Sequence, residues 1–229
     1  VGIYIESHFG GADTKSKSFL YKLNVLQTNV LVLMKHIIKE LSQSDFDVSD
    51  CELKIGTDIP AYTIKLPTGQ NIAVYGSIDR VDVMNKKKKK YIRIVDYKTG
   101  TKTFKLSDIL YGLNLQMLLY LYAVKMNGKE KYGDFVPAGI LYMPATVPVI
   151  SADDNTTAEK IESTLDTKLK MNGILLDDVK VIRGMDKSEL GKYIPVKIKL
   201  DTPVSDRSLA NIAQFGEIFK KLDATIISM

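Results

Sequence analysis

Two β-type runs, Ile72 to Met84 and Tyr91 to Tyr97, are separated only by Asn85 and five consecutive lysines, Lys86 to Lys90. A hairpin centred between Lys87 and Lys88 pairs residues whose numbers add to 175, and that register sets Asp79 opposite Asp96. Directly opposed residues of an antiparallel pair share a face, with Cβ atoms about 5 Å apart. Lys98, two residues beyond Asp96, points to the same face. Two carboxylates and an ammonium therefore converge at one end of a sheet.

The rest of the chain gives this hairpin a setting. Phe19, Leu23, Leu26, Val30, Leu33, Ile37 and Leu41 recur at helical steps, so a long helix is expected from Lys15 to Leu41, capped by Asp13 or Thr14. The first dozen residues, with Gly10 and Gly11, read as irregular. Strands are expected at Glu52 to Ile55 and Tyr62 to Leu66, before the two runs of the hairpin. A helix apolar on nearly every side follows at Ser107 to Met126, which predicts burial. Phe135 to Tyr142 reads as a strand, Ala158 to Lys170 as a helix, Tyr193 to Leu200 as a strand and Ser205 to Ile227 as a final helix. This order predicts an α/β fold in which helices flank a mixed β-sheet. It divides into an N-terminal helical region (1–46), a core (47–150) and a C-terminal α/β extension (151–229), all within one domain.

Composition sets limits on function. The chain has 229 residues, 45% of them hydrophobic, enough for a substantial core. No apolar run approaches the roughly 20 residues that span a membrane, and no secretory signal is present. The net charge of +5, from 32 Lys+Arg against 27 Asp+Glu, permits a polyanionic partner without demanding one. Cys51 is the single cysteine, which excludes an internal disulfide and any all-cysteine metal site; such a thiol is usually a buried small hydrophobe. A cytoplasmic setting fits best. The first residue is Val1 rather than Met, as in a fragment of something longer.

Two adjacent carboxylates repel, and a divalent metal is one way to hold them together. Oxygen ligands favour Mg²⁺ or Mn²⁺ over Zn²⁺, and a lysine beside such a metal can orient a water or steady developing negative charge. The alternative is a structural salt bridge between Lys98 and the acids. Downstream, Gln116 and Tyr120 stand four apart on one face of the apolar helix. Buried polar groups need partners; these two serve either the backbone or the acidic site.

The stretches "YGSIDRVDVM", "IRIVDYKTG" and "LQMLLYLYAV" together resemble the RecB-type nuclease domain of the PD-(D/E)XK superfamily, and within it the AddB-type domain of bacterial ATP-dependent helicase-nucleases that process double-strand breaks. The resemblance is close from Glu52 to Val124 and looser through "MNGILLDDVKVIRGMD" and "YIPVKIK". It implies a restriction-endonuclease-like sheet core and phosphodiester hydrolysis, with exonuclease action on DNA, on single-stranded ends above all, and a helicase partner subunit. Residue by residue, Asp79 and Asp96 match the metal-binding acids and Lys98 the catalytic lysine. Gln116 and Tyr120 match a Gln-x-x-x-Tyr motif that supports DNA and the active site. Glu52 falls where an upstream acid sits on the first core strand, and the Tyr97 carbonyl reaches the metal in similar sites. Two departures stand out. Related domains carry a metal-ligand histidine on an upstream helix, but His36 lies off the apolar stripe and is expected to face solvent, while His8 falls in a loop. AddB-type domains also hold an iron–sulfur cluster through four cysteines, which Cys51 alone cannot do; a cluster could belong only to a longer chain.

Other features admit two readings. Lys86, Lys87, Lys88, Lys89 and Lys90 either touch DNA phosphates or keep an exposed turn solvated. Tyr91, Tyr97, Tyr111 and Tyr122 fit core or interface roles better than a base-stacking platform. "DYKTGTKT" is similar to the phosphorylation motif of cation-pumping ATPases, but Tyr97 interrupts it and the neighbouring strand is antiparallel. The competing functional class is a catalytically silent nuclease-like scaffold that binds DNA or a helicase; loss of an acid or of Lys98 would favour it, and all are present.

Overall fold

A computed structural model describes residues 2–11, 15–100, 115–151, 153, 155–205 and 208–228. The expected caps Asp13 and Thr14, and the expected helical start from Ser107 to Asn114, lie outside those residues. In chain order the elements are α1 (Gly2–Phe9), α2 (Lys17–Ser42), β1 (Asp47–Ile55), β2 (Tyr62–Lys65), β3 (Asn71–Val74), β4 (Gly76–Lys86), β5 (Lys89–Lys98), α3 (Gln116–Asn127), α4 (Lys129–Tyr132) and β6 (Val136–Pro144). They continue with α5 (Ala158–Leu169), β7 (Asn172–Leu176), α6 (Val179–Met185), β8 (Lys197–Lys199), β9 (Thr202–Val204), β10 (Leu209–Ala210) and α7 (Ile212–Ser228). Six strands form one mixed sheet in the order β1-β4-β5-β6-β7-β10. Pairing is antiparallel from β1 through β5, parallel between β5 and β6, antiparallel between β6 and β7, and parallel between β7 and β10. The C-terminal portion thus adds β7 and β10 to the same sheet as the core.

The β4–β5 hairpin has the expected register: Lys86 pairs with Lys89, Asp82 with Arg93 and Arg80 with Val95. Val81, Ile92, Ile94 and Val95 are fully buried, as are Leu118, Leu121 and Val124 of α3. Each such side chain contributes about 1.5–3 kcal/mol relative to an exposed one.

Several expectations are corrected. Gly2–Phe9 is helical rather than irregular, which puts His8 on α1 and not in a loop, and Gly10 and Gly11 follow with positive φ. Ser16 caps α2 by accepting the Phe19 N–H at 3.2 Å. The single strand expected from Ile72 to Met84 breaks at Tyr75: Asn71–Val74 pairs only with β2, and β4 starts at Gly76. Of the expected strand at Tyr193 to Leu200, only Lys197–Lys199 is extended and paired, while Tyr193, Ile194 and Val196 are buried in irregular chain. Cys51 is exposed rather than buried.

The largest correction concerns α2. Its apolar stripe docks only in part: Leu26 and Val30 are 57% and 48% exposed, Ile37 packs half-buried against the core, and its two buried residues are His36 and Glu40. Its innermost contacts are polar. Glu40 meets Arg80 and Arg93, and His36 Nδ1 lies 3.3 Å from Asp166 of α5. Apolar periodicity cannot register that kind of burial, so His36, expected toward solvent, is inside.

Candidate active site

The β4–β5 ladder stops at Arg80 and Val95. At the next step a side chain replaces the backbone: Asp79 Oδ2 accepts the Tyr97 N–H at 2.8 Å. That bond fixes one carboxylate oxygen of Asp79 and turns the group toward the end of β5. There Lys98 Nζ sits 2.5 Å from Asp96 Oδ2, with Asp96 buried and Lys98 partly open to solvent. The two acids and the lysine expected from the hairpin register are therefore gathered around residues 96–98.

The neighbouring strands extend this into a row. In β1, Cys51 pairs with Arg80 and Leu53 with Ile78, which sets Glu52 beside Asp79. Glu52 is exposed, adopts φ 55, and accepts the Ser77 hydroxyl at 3.0 Å. On the other side Asp96 pairs with Tyr142 and Tyr142 with Asn172. Glu52, Asp79, Asp96, Tyr142 and Asn172 thus occupy one level across five adjacent strands. The Tyr142 ring lies 6.0 Å from Lys98 Nζ. Its phenol is pushed up to about 12, first by burial and then by the negative charge of Asp96. It stays protonated at neutral pH.

Gln116 and Tyr120 are brought together on α3, with Gln116 Nε2 donating to the Tyr120 hydroxyl at 3.2 Å. That hydroxyl packs onto Gly76 so closely that a Cβ there would overlap it. Glycine at the start of β4 is thus what lets α3 approach three residues before Asp79. The lysine tip is at the far end of the hairpin, roughly 25 Å along the strand from the acids at about 3.3 Å per residue. Lys86 donates to the Lys180 carbonyl at 3.3 Å and Lys90 to the Tyr132 carbonyl, while Lys87 to Lys89 are exposed. His36 contacts Asp166 and the Tyr193 ring, and none of its described hydrogen bonds reaches Asp79 or Asp96.

Sequence reasoning missed Glu40. Its carboxylate takes Arg93 Nη2 at 2.6 Å and Arg80 Nη2 at 3.2 Å, and Asp82 Oδ2 takes Arg80 Nη2 at 2.9 Å and Arg93 Nε at 2.8 Å. All four residues are at most 2% exposed. Burial alone pushes the Glu40 carboxyl up, yet Arg93 and Arg80 outweigh it and hold the group below its usual range. Arg80 also donates to the Tyr97 hydroxyl at 3.1 Å, tying this cluster to the residue whose N–H holds Asp79. The hairpin register contained a signal for it: Asp82 and Arg93 also add to 175, an ion pair at inward positions of two strands.

A model of the PD-(D/E)XK nuclease superfamily matches residues 14–221, nearly the whole chain. The chain belongs to this superfamily. Curated relatives carry the same stretch. The chain is 36% identical over 215 residues to an ATP-dependent helicase/deoxyribonuclease subunit of Clostridium novyi, covering 92% of this chain and 19% of that protein. It is 36% identical over 214 residues to the protein of that name from Ruminiclostridium cellulolyticum, covering 90% and 18%. The counterpart from Clostridium kluyveri is 37% identical over 221 residues, covering 93% and 19%. The chain spans about a fifth of the length of these relatives.

PD-(D/E)XK nucleases work with divalent metals, and the donors here suit a hard cation. Among the described residues no three His, Cys, Asp or Glu side chains form a ready-made cage. Mg²⁺ does not need one: it keeps several waters and is typically held by one or two carboxylates together with substrate phosphate. Asp79 and Asp96 supply two carboxylates, and two acids with one ammonium leave the cluster one positive charge short of balance. The superfamily fold positions all of this at the open end of β5, where the backbone pairing of the hairpin has ended.

Proposed function

We propose that this chain is a metal-dependent deoxyribonuclease domain, part of a helicase-nuclease that trims single-stranded ends in double-strand break repair. Membership of the superfamily and the names borne by the relatives support the class. The observation that carries the reading is the junction of Asp79, Asp96 and Lys98 where the hairpin ladder ends. Asp79, Asp96 and the Tyr97 carbonyl hold Mg²⁺ or Mn²⁺, with Glu52 as a further acid beside them. The bound metal supplies Lewis acidity toward the scissile phosphate and acidifies a water. Lys98 places positive charge where negative charge grows on the phosphate, and the hydrogen bond from Tyr97 keeps Asp79 in one orientation. Gln116 and Tyr120 position the strand from α3. Exonuclease action, a helicase partner and a cytoplasmic setting complete the proposal; among the described residues no helix is long and apolar enough to cross a membrane.

The test is Asp96→Ala, read by Mg²⁺-dependent cleavage of a labelled single-stranded oligonucleotide and by circular dichroism. A folded variant with cleavage at background and weakened Mn²⁺ binding is expected. Undiminished cleavage by the folded variant would return the junction to a structural salt bridge and favour the silent scaffold.

A further inference from the structure

Beside Lys98 a cavity of about 360 Å³ opens between the ends of β5 and β6 and the start of β7. Among the described residues three lysines line it, Lys98, Lys168 and Lys170, and no carboxylate does. Lys168 also lines a second cavity, of about 520 Å³, together with Lys160 and Thr164 of α5. The two cavities therefore share Lys168 as a common wall and lie in succession, as a two-part groove, from the Asp96–Lys98 pair. Lys160, Thr164 and Lys168 are spaced four apart, so they share one face of α5 over about 12 Å at 1.5 Å per residue. Lys98 pairs with Pro144, and the β6–β7 register carried two residues beyond Tyr142 and Asn172 sets Lys170 across from Pro144. Lys170 thus stands two strand spacings, roughly 10 Å, from Lys98.

The charges of α5 are sorted. Two of its acids are ion-paired, Glu162 with Lys39 and Asp166 with His36 and Lys192, and Glu159 lies with them on a different cavity from Lys160 and Lys168. Its lysines on the groove have no carboxylate partner among the described residues; Lys168 donates to the Val149 carbonyl at 3.0 Å. Lys170 is half-buried and has no ion pair among the described residues. The nearby Asp186 already accepts from Ser188 and from the Lys192 and Tyr193 N–H groups. Burial pulls the Lys170 ammonium below its usual range, with Asp186 acting against it and Lys197 adding to it. Asp153, the one acid among the described residues on the second cavity, is exposed and accepts the Thr156 hydroxyl and the Asn155 N–H.

We propose that this groove seats the phosphates of the DNA strand on one side of the cleavage point, with Lys170, Lys168 and Lys160 as successive phosphate contacts leading from Lys98. This rests on the nuclease reading and adds the path of the substrate to it. Beside Pro144, Pro148 and Ile161 the groove offers cations and small hydroxyls and, among the described residues, no exposed aromatic platform, so it grips backbone rather than bases and is indifferent to sequence.

The experiment measures binding of a fluorescent oligothymidylate to the full chain in EDTA, across a range of salt. Each phosphate neutralised on a single strand contributes about 0.7 to the slope of log K against log salt, so Lys168→Ser with Lys170→Ser should lower that slope by about 1.4. Lys168→Arg with Lys170→Arg should keep it. Lys160→Ser, on an exposed helix position that cannot disturb the core, should lower it by about 0.7. Equal slopes in the wild type and both serine variants overturn the proposal, as does an arginine variant that loses slope like the serine one. Wild-type cleavage with Mg²⁺ separates the two readings. Cleavage with unchanged slopes removes the groove alone, whereas slopes that change without any wild-type cleavage remove the nuclease reading and leave a DNA-binding groove.

Discussion

Two charge clusters occupy the same hairpin and differ in balance. Glu40, Asp82, Arg80 and Arg93 hold two negative and two positive charges, all buried and mutually bonded. Asp79, Asp96 and Lys98 hold two negative charges and one positive, half open to solvent, with Glu52 adding a third acid at their edge. The first cluster is balanced in charge, and it clamps α2 to the sheet. The second is left short of positive charge and attracts a cation. Arg80 links them through Tyr97, so the closed cluster braces the residue that orients Asp79. Pairing alone therefore does not distinguish a structural cluster from a reactive one; the residual charge and the access to solvent do.

The sharpest way to break this comparison is Glu40→Ala. Removing one partner strands two buried guanidiniums and should cost about 3–5 kcal/mol in denaturant unfolding; a loss under about 1 kcal/mol would show that the cluster does not clamp the fold. Lys98→Ala should do the reverse, lowering turnover by about 10²–10³ with little change in melting temperature and with Mn²⁺ binding retained. A variant that unfolds but cleaves normally in its folded fraction would reassign Lys98 to structure. Acid should also separate the clusters. The Glu40 carboxyl is lowered in the folded state, so its contribution to stability is present above its unfolded pKa of about 4.3 and is lost as pH falls through the folded value. Glu40→Gln should therefore be less stable at neutral pH and lose less on acidification below about pH 4, as read by unfolding at several pH values. The smallest effect belongs to Glu52. A left-handed backbone costs an L-residue about 1–2 kcal/mol, so Glu52→Gly should raise the melting temperature slightly while weakening Mn²⁺ binding. A fall in melting temperature would show that the conformation stores no strain.

What the sequence revealed follows the same division. Strand register is arithmetic once the turn is placed, so Asp79, Asp96 and Lys98 could be brought together from residue numbers alone. Helix docking was harder to read, because α2 buries His36 and Glu40 and leaves Leu26 and Val30 outside. Apolar periodicity measures transfer from water, and it is blind to a face buried by ion pairing. The break at Tyr75 was hidden for a related reason. Ile72 to Met84 is β-type throughout, and the break shows in the change of pairing partner and in the packing of Tyr75 onto Gly56 and of Tyr120 onto Gly76. The bases on α5 escaped notice because a lysine at helical spacing reads as a solvated face until the topology shows what lies beneath it.

The tight turn at Lys87 and Lys88 has a kinetic consequence. Residues 79 and 96 meet by closing a short, local loop, whose entropic cost is small, whereas Glu40 must reach the hairpin from roughly 40 residues upstream. Contacts close in sequence form fastest. The acidic junction should therefore assemble early in folding, and the clamp that braces it should close afterwards. During that interval the acids rest on local contacts alone, the Tyr97 N–H on Asp79 and Lys98 beside Asp96.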